Sequence, residues 1–405
     1  MRPTVWHRGL PASAFVAFAA FGSFWGVWGA SVPRVRDQAR ISDGRLGFAL
    51  LFVGAGALPA MLLAGRALDR WGLRVAAGAI GLLGVVGVAL SLTAVGLPSL
   101  CLGLAIVGAS SGAADVTMNA VAGRAERDTG RPVIARAHGT FSSFVVLTSL
   151  ATGGAAAAAW PLAVPFLGVA ALSLTAGAAM LTQLPPSRIA HADDTVATAA
   201  SPPGRSGILR LLPLGVLGAL AFASENAQQS WSAIFARDEL HTGPGLTTVA
   251  PAAFAGTVAI TRFATGQLKA IHAQAVILAG ALAAAGGSLV IASARTVPVA
   301  ALGLVMAGAG TAVLFPALLG IMSRNVEESY RGRATSVITS ISYLGFLLGP
   351  VYVGLWADAT GLRGAMTAVA ALAAALFLLT SPLLGLIGSS DAGTLRPRTG
   401  DIKSR

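Results

Sequence analysis

Long apolar runs, separated by short stretches that carry charge, proline or paired glycine, recur along the whole chain. A helix needs roughly 20 apolar residues to cross about 30 Å of hydrocarbon. Cutting at charges, prolines and glycine turns leaves twelve such runs. The first six cover 10–32, 46–64, 75–95, 98–122, 136–158 and 161–183, and the second six cover 211–235, 246–265, 273–294, 298–322, 334–356 and 364–387. Two of the cuts have no charge to mark them and rest on the turn-like stretches VGLPS (95–99) and WP (160–161). Between the sixth and seventh runs, PPSRIAHADDTVATAASPPGRSG (185–207) is rich in Pro, Ser and charge, which reads as a solvated linker. The pattern predicts an all-α membrane protein of two six-helix bundles, 1–184 and 211–388, with a linker at 185–210 and a tail at 389–405.

Composition agrees with the pattern. Only 11% of residues are charged and 55% are hydrophobic, whereas soluble domains average about 25% charged. A water-facing surface could hardly be built from this inventory. The 50 glycines fit helices that approach closely in lipid. The single cysteine, Cys101, excludes an intramolecular disulfide and reads as packing. A net charge of +12 would suggest nucleic acid in a soluble protein, but here the basic residues lie between apolar runs. With the amino terminus inside, 21 of the 28 Lys and Arg fall on the cytoplasmic side, so both termini are expected there. The first external turn departs from this trend with Arg34, Arg36, Arg40 and Arg45 against Asp37 and Asp43. It reads either as local ion pairing around a short external helix or as a basic funnel for anions.

The chain repeats itself. GRPVIARAHGTFSSF from Gly130 aligns with GRATSVITSISYLGF from Gly332 at an offset of 202, and GASSGAADV from Gly108 with GAGTAVLFP from Gly308 at an offset of 200. Gly65 and Gly266 lie 201 apart. Constant spacing at three places in order predicts two homologous halves. The repeat breaks at polar positions: Asp115 aligns with Phe315, and Glu225 aligns near Ser23 or Phe24.

Those breaks carry the candidate chemistry. The seventh run contains GALAFASENAQQSW (218–231). A charge at mid-membrane costs roughly 2.5–3.5 kcal/mol on insertion scales, so Glu225 should face protein or water. Glu225, Gln228 and Gln229 stand at i, i+3 and i+4 and predict one polar face, with Asn226 beside it. Trp28 and Trp231 are expected to bound a cavity there. The carboxylate suits a solute hydroxyl or amine, or proton exchange; its alternative role is an interhelical hydrogen bond. Asp115 and Asn119, an i, i+4 pair, are placed about two turns from the cytoplasmic end of the fourth run. With Arg136 and His138 they form a candidate inner gate or proton relay, or a static helix-bridging network. Arg262 reads as a snorkelling residue. Tyr343 and Asn325 are further polar handles, and Trp160 and Trp356 read as interfacial residues. Gly345, Gly349 and Pro350 suggest close packing and a kink.

The loop AGRALDRWGLR (64–74) resembles the signature of the major facilitator superfamily, through Gly65, Asp69, Arg70, Gly72 and Arg74. In that family the loop helps to lock the outward-facing state. The corresponding TGQLKAIHAQA (265–275) keeps Gly266 but has no Asp. DVTMNAVAGRAERDTGRPVIARAHGTFS (115–142), WSAIFARDEL (231–240), FPALLG (315–320) and GFLLGPVYVGLWADATGLRGA (345–365) resemble a bacterial branch of the superfamily that is similar to the fucose-permease-like carriers. The helix-five GP signature of drug/proton antiporters is replaced by SLATGGAA (149–156). The resemblance implies a twelve-helix fold, alternating access, a central cavity and a bacterial inner-membrane location. No phosphate-binding loop, catalytic triad or metal-ligand spacing occurs in the chain. The expectation is a secondary active transporter of a small molecule, not an enzyme, without cofactor or nucleic acid, monomeric in the lipid bilayer. Internal carboxylates make protons the expected coupling ion. Export of a drug or metabolite by proton antiport is the alternative, and a non-transporting membrane sensor on a carrier fold is a weaker one.

Overall fold

The computed structural model describes residues 6–185, 205–265, 272–326 and 328–389. Most of the expected linker, the loop containing Gly266 and Lys269, and the expected tail beyond residue 389 lie outside the described residues. Hydrocarbon offers backbone groups no partner, so a chain crossing it must satisfy every N–H and C=O within its own segment. The regular structure described is helical throughout. It comprises α1 (Trp6–Ala39), α2 (Asp43–Trp71), α3 (Val75–Thr93), α4 (Leu97–Thr129), α5 (Val133–Ala157) and α6 (Ala163–Gln183). There follow α7 (Arg205–Asp238), α8 (Pro244–Thr247), α9 (Val249–Thr265), α10 (Ala273–Ser293), α11 (Val297–Asn325) and α12 (Glu328–Ser389).

Among the described residues, ten stretches are long and apolar enough to cross a membrane. One of them, Val337–Leu386, has 50 residues, enough for two crossings. The ten do not include α7, whose 34 residues are interrupted by the polar segment around Glu225. A twelve-crossing bundle is consistent with these lengths. Several helices outrun the apolar runs that announce them, because charged residues continue the helix beyond the hydrocarbon. In α4 the extension holds an Arg124–Asp128 ion pair at i, i+4 (2.9 Å) and ends at Gly130 in the left-handed region.

The exterior is apolar. Leu62, Ile260 and Leu378 are about 70% exposed, at 69%, 71% and 70%, a surface that lipid covers and water would not. One buried apolar cluster is built mainly on α1–α6 and a smaller one on α7, α10, α11 and α12. The two groups of helices meet where α2 packs on α12, α5 on α9 and α1 on α7. Within the second group, Gly345 and Gly349 bring α12 against the α7 backbone at Ala219 and Ala223, as expected of small residues in lipid. Pro350 lies inside the helix.

α12 turns back on itself part-way along, and the break needs one unusual residue. Gly361 supplies it at φ 77° and ψ 172°, a conformation open to glycine and strained for other residues. Nothing lies within 4 Å of where a Cβ would sit there, so substitution acts through the backbone alone. Gly361→Ala is expected to destabilise by about 1–3 kcal/mol, read as a lowered melting temperature of the purified protein in detergent.

Candidate functional site

A cavity of about 360 Å³ lies where the two helix groups meet. The amino-terminal group contributes Phe18, Phe21, Trp25 and Trp28 of α1, Asp115 of α4 and His138 of α5. The carboxy-terminal group contributes Glu225, Asn226, Gln229 and Ser230 of α7, Arg262 of α9 and Tyr343 of α12, with Phe222 and Phe346 beside them. The cavity is a ring of aromatic side chains around a few polar groups, the usual composition of a small-molecule site.

On α7 the polar face is rotated from its expected position. At 100° per residue, Phe222, Glu225, Asn226, Gln229 and Ser230 fall within one arc. Gln228 and Trp231 fall outside it and do not line the cavity. Gln228 is buried and donates its Nε2 to Ser288 Oγ of α10 at 2.9 Å. Trp231 is fully buried in the helix bundle. Asn226 donates to the Phe346 carbonyl (2.7 Å) and accepts from Ser230 Oγ (2.9 Å), so it joins α7 to α12 at the cavity wall.

Glu225 faces the cavity, as expected of a charge in this run, but it is not alone. Arg262 Nη2 lies 2.8 Å from Glu225 Oε1 and 2.9 Å from Oε2. Arg262 therefore does not snorkel to the headgroups. Its nearest compensation is a carboxylate inside the protein, and its Nε points to the Ala312 carbonyl (3.5 Å). Two opposite charges, each inside an apolar run, were the sequence signal for this pair.

Asp115 sits near the middle of α4 rather than two turns from its end, because that helix continues to Thr129. Asn119 turns back onto it, donating Nδ2 to the Asp115 carbonyl (2.9 Å) and to Oδ1 (3.1 Å). Among the described residues, no cationic side chain pairs with Asp115. Tyr343 is close enough to interact with it electrostatically. His138 lines the same cavity with its ring edge-on to Phe18, centroids 4.9 Å apart, and within electrostatic reach of Arg262. Arg136 is exposed and does not line the cavity, so the proposed four-residue cluster divides: Asp115 and His138 face the hollow, Asn119 supports Asp115, and Arg136 stands apart. For Asn325 the side chain lies outside what the structure describes.

At the face opposite the start of α1, Arg and Asp side chains join the two groups. Arg36 Nη2 meets Asp238 (2.6 Å) while its Nη1 meets Asp43 (2.5 Å). Arg237 meets Asp37 (2.7 Å). Arg36-Asp37 and Arg237-Asp238 are the same doublet 201 residues apart, and each Arg bonds the Asp of the other copy. Ser42 Oγ donates to Asp358 (2.9 Å) across the same seam. The turn after α1 thus contains neither a separate helix nor purely local pairs: α1 runs to Ala39 and α2 starts at Asp43. Arg34 is drawn instead to the Trp160 carbonyl (2.7 Å).

At the opposite face, Gly72 caps α2 at φ 74°, and Arg74 Nε reaches the Leu184 carbonyl at 3.1 Å. Arg70 lies over the Trp71 ring, 5.8 Å from its centroid. Asp69 and Arg70 are exposed, and nothing lies within 4 Å of where a Cβ on Gly65 would be. The profile described as Major Facilitator Superfamily matches residues 13–271 and 214–399. The chain belongs to that superfamily. Superfamily relatives include an uncharacterised MFS-type transporter of Yersinia pestis, 27% identical over 351 residues, covering 84% of this chain and 87% of the relative. An uncharacterised transporter of Sinorhizobium fredii, y4wD, is 28% identical over 362 residues, covering 87% and 92%. Among solved superfamily structures, a bacterial homolog of the human lysosomal transporter Spinster, inward-facing and unoccupied, superposes with a TM-score of 0.75 at 16% identity, covering 95% and 99%. The nucleoside transporter NupG superposes with a TM-score of 0.72 at 14% identity, covering 95% and 99%. At these identities the structures establish the fold, and the superfamily establishes membrane transport by a multi-pass protein.

The Glu225–Arg262 pair generates one prediction. Removing one partner of a buried pair costs about 3–5 kcal/mol; here the side chains are 18% and 46% exposed, so solvent screening reduces the loss. Glu225→Gln and Arg262→Gln should each lower the melting temperature, and the double variant should recover part of the loss. Strict additivity of the two single effects would contradict the coupling. The crossed doublets generate another: Arg36→Gln with Arg237→Gln should increase labelling of a cavity cysteine by a membrane-impermeant reagent added on that face.

Proposed function

We propose that the chain is a proton-coupled secondary transporter of a small molecule, working by alternating access in the bacterial inner membrane with both termini cytoplasmic. In this reading Asp115 takes the proton. The supporting observation is the contrast between the two acids in one cavity. Glu225 has a cation at 2.8 Å, whereas Asp115 has an amide, Asn119, at 3.1 Å. An ionised carboxylate near mid-membrane without a cation is the group that gains most from neutralisation. The role that the sequence suggested for Glu225 as proton carrier therefore passes to Asp115. Glu225 instead holds Arg262 in place, while Asn226, Gln229 and Trp28 contact the solute. The buried bond from Gln228 to Ser288 makes Gln228 a structural residue.

His138 serves as the neighbouring relay group. Gly65, Asp69, Arg70, Gly72 and Arg74 act as the conformational motif. The empty space beside Gly65 supports a role for that glycine in a different arrangement of the halves. With cytoplasmic termini, the crossed Arg–Asp pairs close the external side. Export in exchange for protons is the second reading, favoured by the aromatic lining of the cavity.

The test needs no substrate. Spin labels at Arg45 and Ala359, one on each helix group, in a Cys101→Ala background, report the spacing of the two groups at that face. The distance distribution is expected to change between pH 8 and pH 5. Asp115→Asn should give the acid distribution at both values, and a variant that keeps the parental pH response would overturn the role of Asp115.

A further inference from the structure

We infer that the solute is a monovalent organic cation with an aromatic or similarly bulky apolar body, held by Asp115 and the α1 aromatics and exchanging with a proton there. This rests on the proton-coupled reading in its exchange form and adds the substrate class to it.

Charge balance carries the first part. Among the described residues, the cavity wall bears four ionisable groups besides Tyr343: Asp115, His138, Glu225 and Arg262. Arg262 and Glu225 neutralise each other at 2.8 Å. Phe18, Phe21, Trp25 and Trp28 of α1 bring no charge, nor do the α2 residues that line the cavity. His138, beside Arg262, is the less favourable place for an added positive charge. With Asp115 ionised, the wall has one uncompensated negative charge. An incoming proton or a solute cation supplies the missing positive charge; an anion would add a second negative one. A sugar or other neutral polyol brings no charge, so with it the balance would rest on the proton alone.

The aromatic side chains carry the second part, independently of that count. Phe21 packs edge-on to Trp25 at 6.3 Å and against Phe141 at 5.8 Å. Trp25 and Trp28 also line the hollow, in the same helix group as Asp115. Aromatic faces attract cations through their quadrupole, most strongly when water is excluded, and indole is the best of them. A carboxylate in one wall with several aromatic rings in the same helix group is the chemistry that recognises an alkylated or aromatic ammonium or phosphonium. On the opposite wall, Phe222, Tyr343 and Phe346 lie in edge contact at 5.8 and 6.1 Å. They offer apolar area to the rest of the solute, while Gln229 gives it a hydrogen-bonding group. Because proton and cation compete for one carboxylate, loading one expels the other, which is exchange rather than co-transport.

The experiment is equilibrium binding of tritiated tetraphenylphosphonium to purified full-length protein in detergent, from pH 5 to pH 8. Tetraphenylborate, the same shape with the opposite charge, is measured separately. Saturable phosphonium binding is expected to weaken about tenfold per pH unit below the titration range of Asp115, as competition by one proton requires. Asp115→Asn should bind at least tenfold more weakly and without pH dependence. Its elution profile and melting temperature establish that it is folded. Trp25→Leu is a second variant; it should weaken binding by roughly two- to thirtyfold while keeping the pH slope. Tetraphenylborate should show no saturable binding that depends on Asp115. Equal binding of the borate, or phosphonium binding unchanged in Asp115→Asn and Trp25→Leu, would overturn the inference. If the spin-label distances still respond to pH through Asp115 while no cation binds, the substrate class falls and the proton reading stands.

Discussion

An ionised side chain in hydrocarbon is tolerated only at a helix end, in a pair, or beside water, and this constraint orders the whole molecule. The charged residues of α4 beyond Ala122 lengthen the helix past the apolar core. Arg36, Arg237, Asp37 and Asp238 collect at one face, where each has an opposite charge. Among the described residues, the charges that remain inside are the ones that line the central hollow: Glu225 with Arg262 in one helix group, and Asp115 in the other. The location of the site follows from this constraint more directly than from any motif.

The division of these groups between the two walls matters for transport. The carboxy-terminal group carries an internally balanced pair, whereas the amino-terminal group carries a lone acid with an aromatic wall. A rocking motion of one group against the other leaves the Glu225–Arg262 bond intact, because both residues move together. The same motion alters what Asp115 meets across the gap, including Tyr343 and Phe346. In such a motion Asp115 would change its surroundings, as would His138 relative to Arg262, while the Glu225–Arg262 pair would not.

Much of the architecture was legible in the amino-acid pattern, because apolar length is dictated by bilayer thickness. The helices follow the predicted runs, and the motif at 64–74 occupies the turn between α2 and α3. What the pattern could not convey was rotation and depth. A polar face centred between Glu225 and Gln228 looks the same in sequence as one centred between Glu225 and Asn226; packing of Gln228 against Ser288 decides it. Charged residues after Ala122 look like a helix end in sequence but continue α4 to Thr129, which leaves Asp115 near its middle. An arginine near the end of an apolar run looks like a headgroup residue, because a single chain position does not reveal an acid on another helix, here Glu225 beside Arg262. Asp115, by contrast, was recognisable because the repeat puts Phe315 where its counterpart would be.

The crossed doublets at 36–37 and 237–238 bear on how such a chain could arise. In a dimer of identical six-helix units related by a two-fold axis, one Arg–Asp doublet would form both bonds by symmetry, since whatever the first copy offers the second receives. A closing seam of this kind would need no co-adaptation of two separate surfaces. Fusing two such copies into one polypeptide would leave the seam standing while freeing each half to differ elsewhere, as the acid of one half and the acid–guanidinium couple of the other differ.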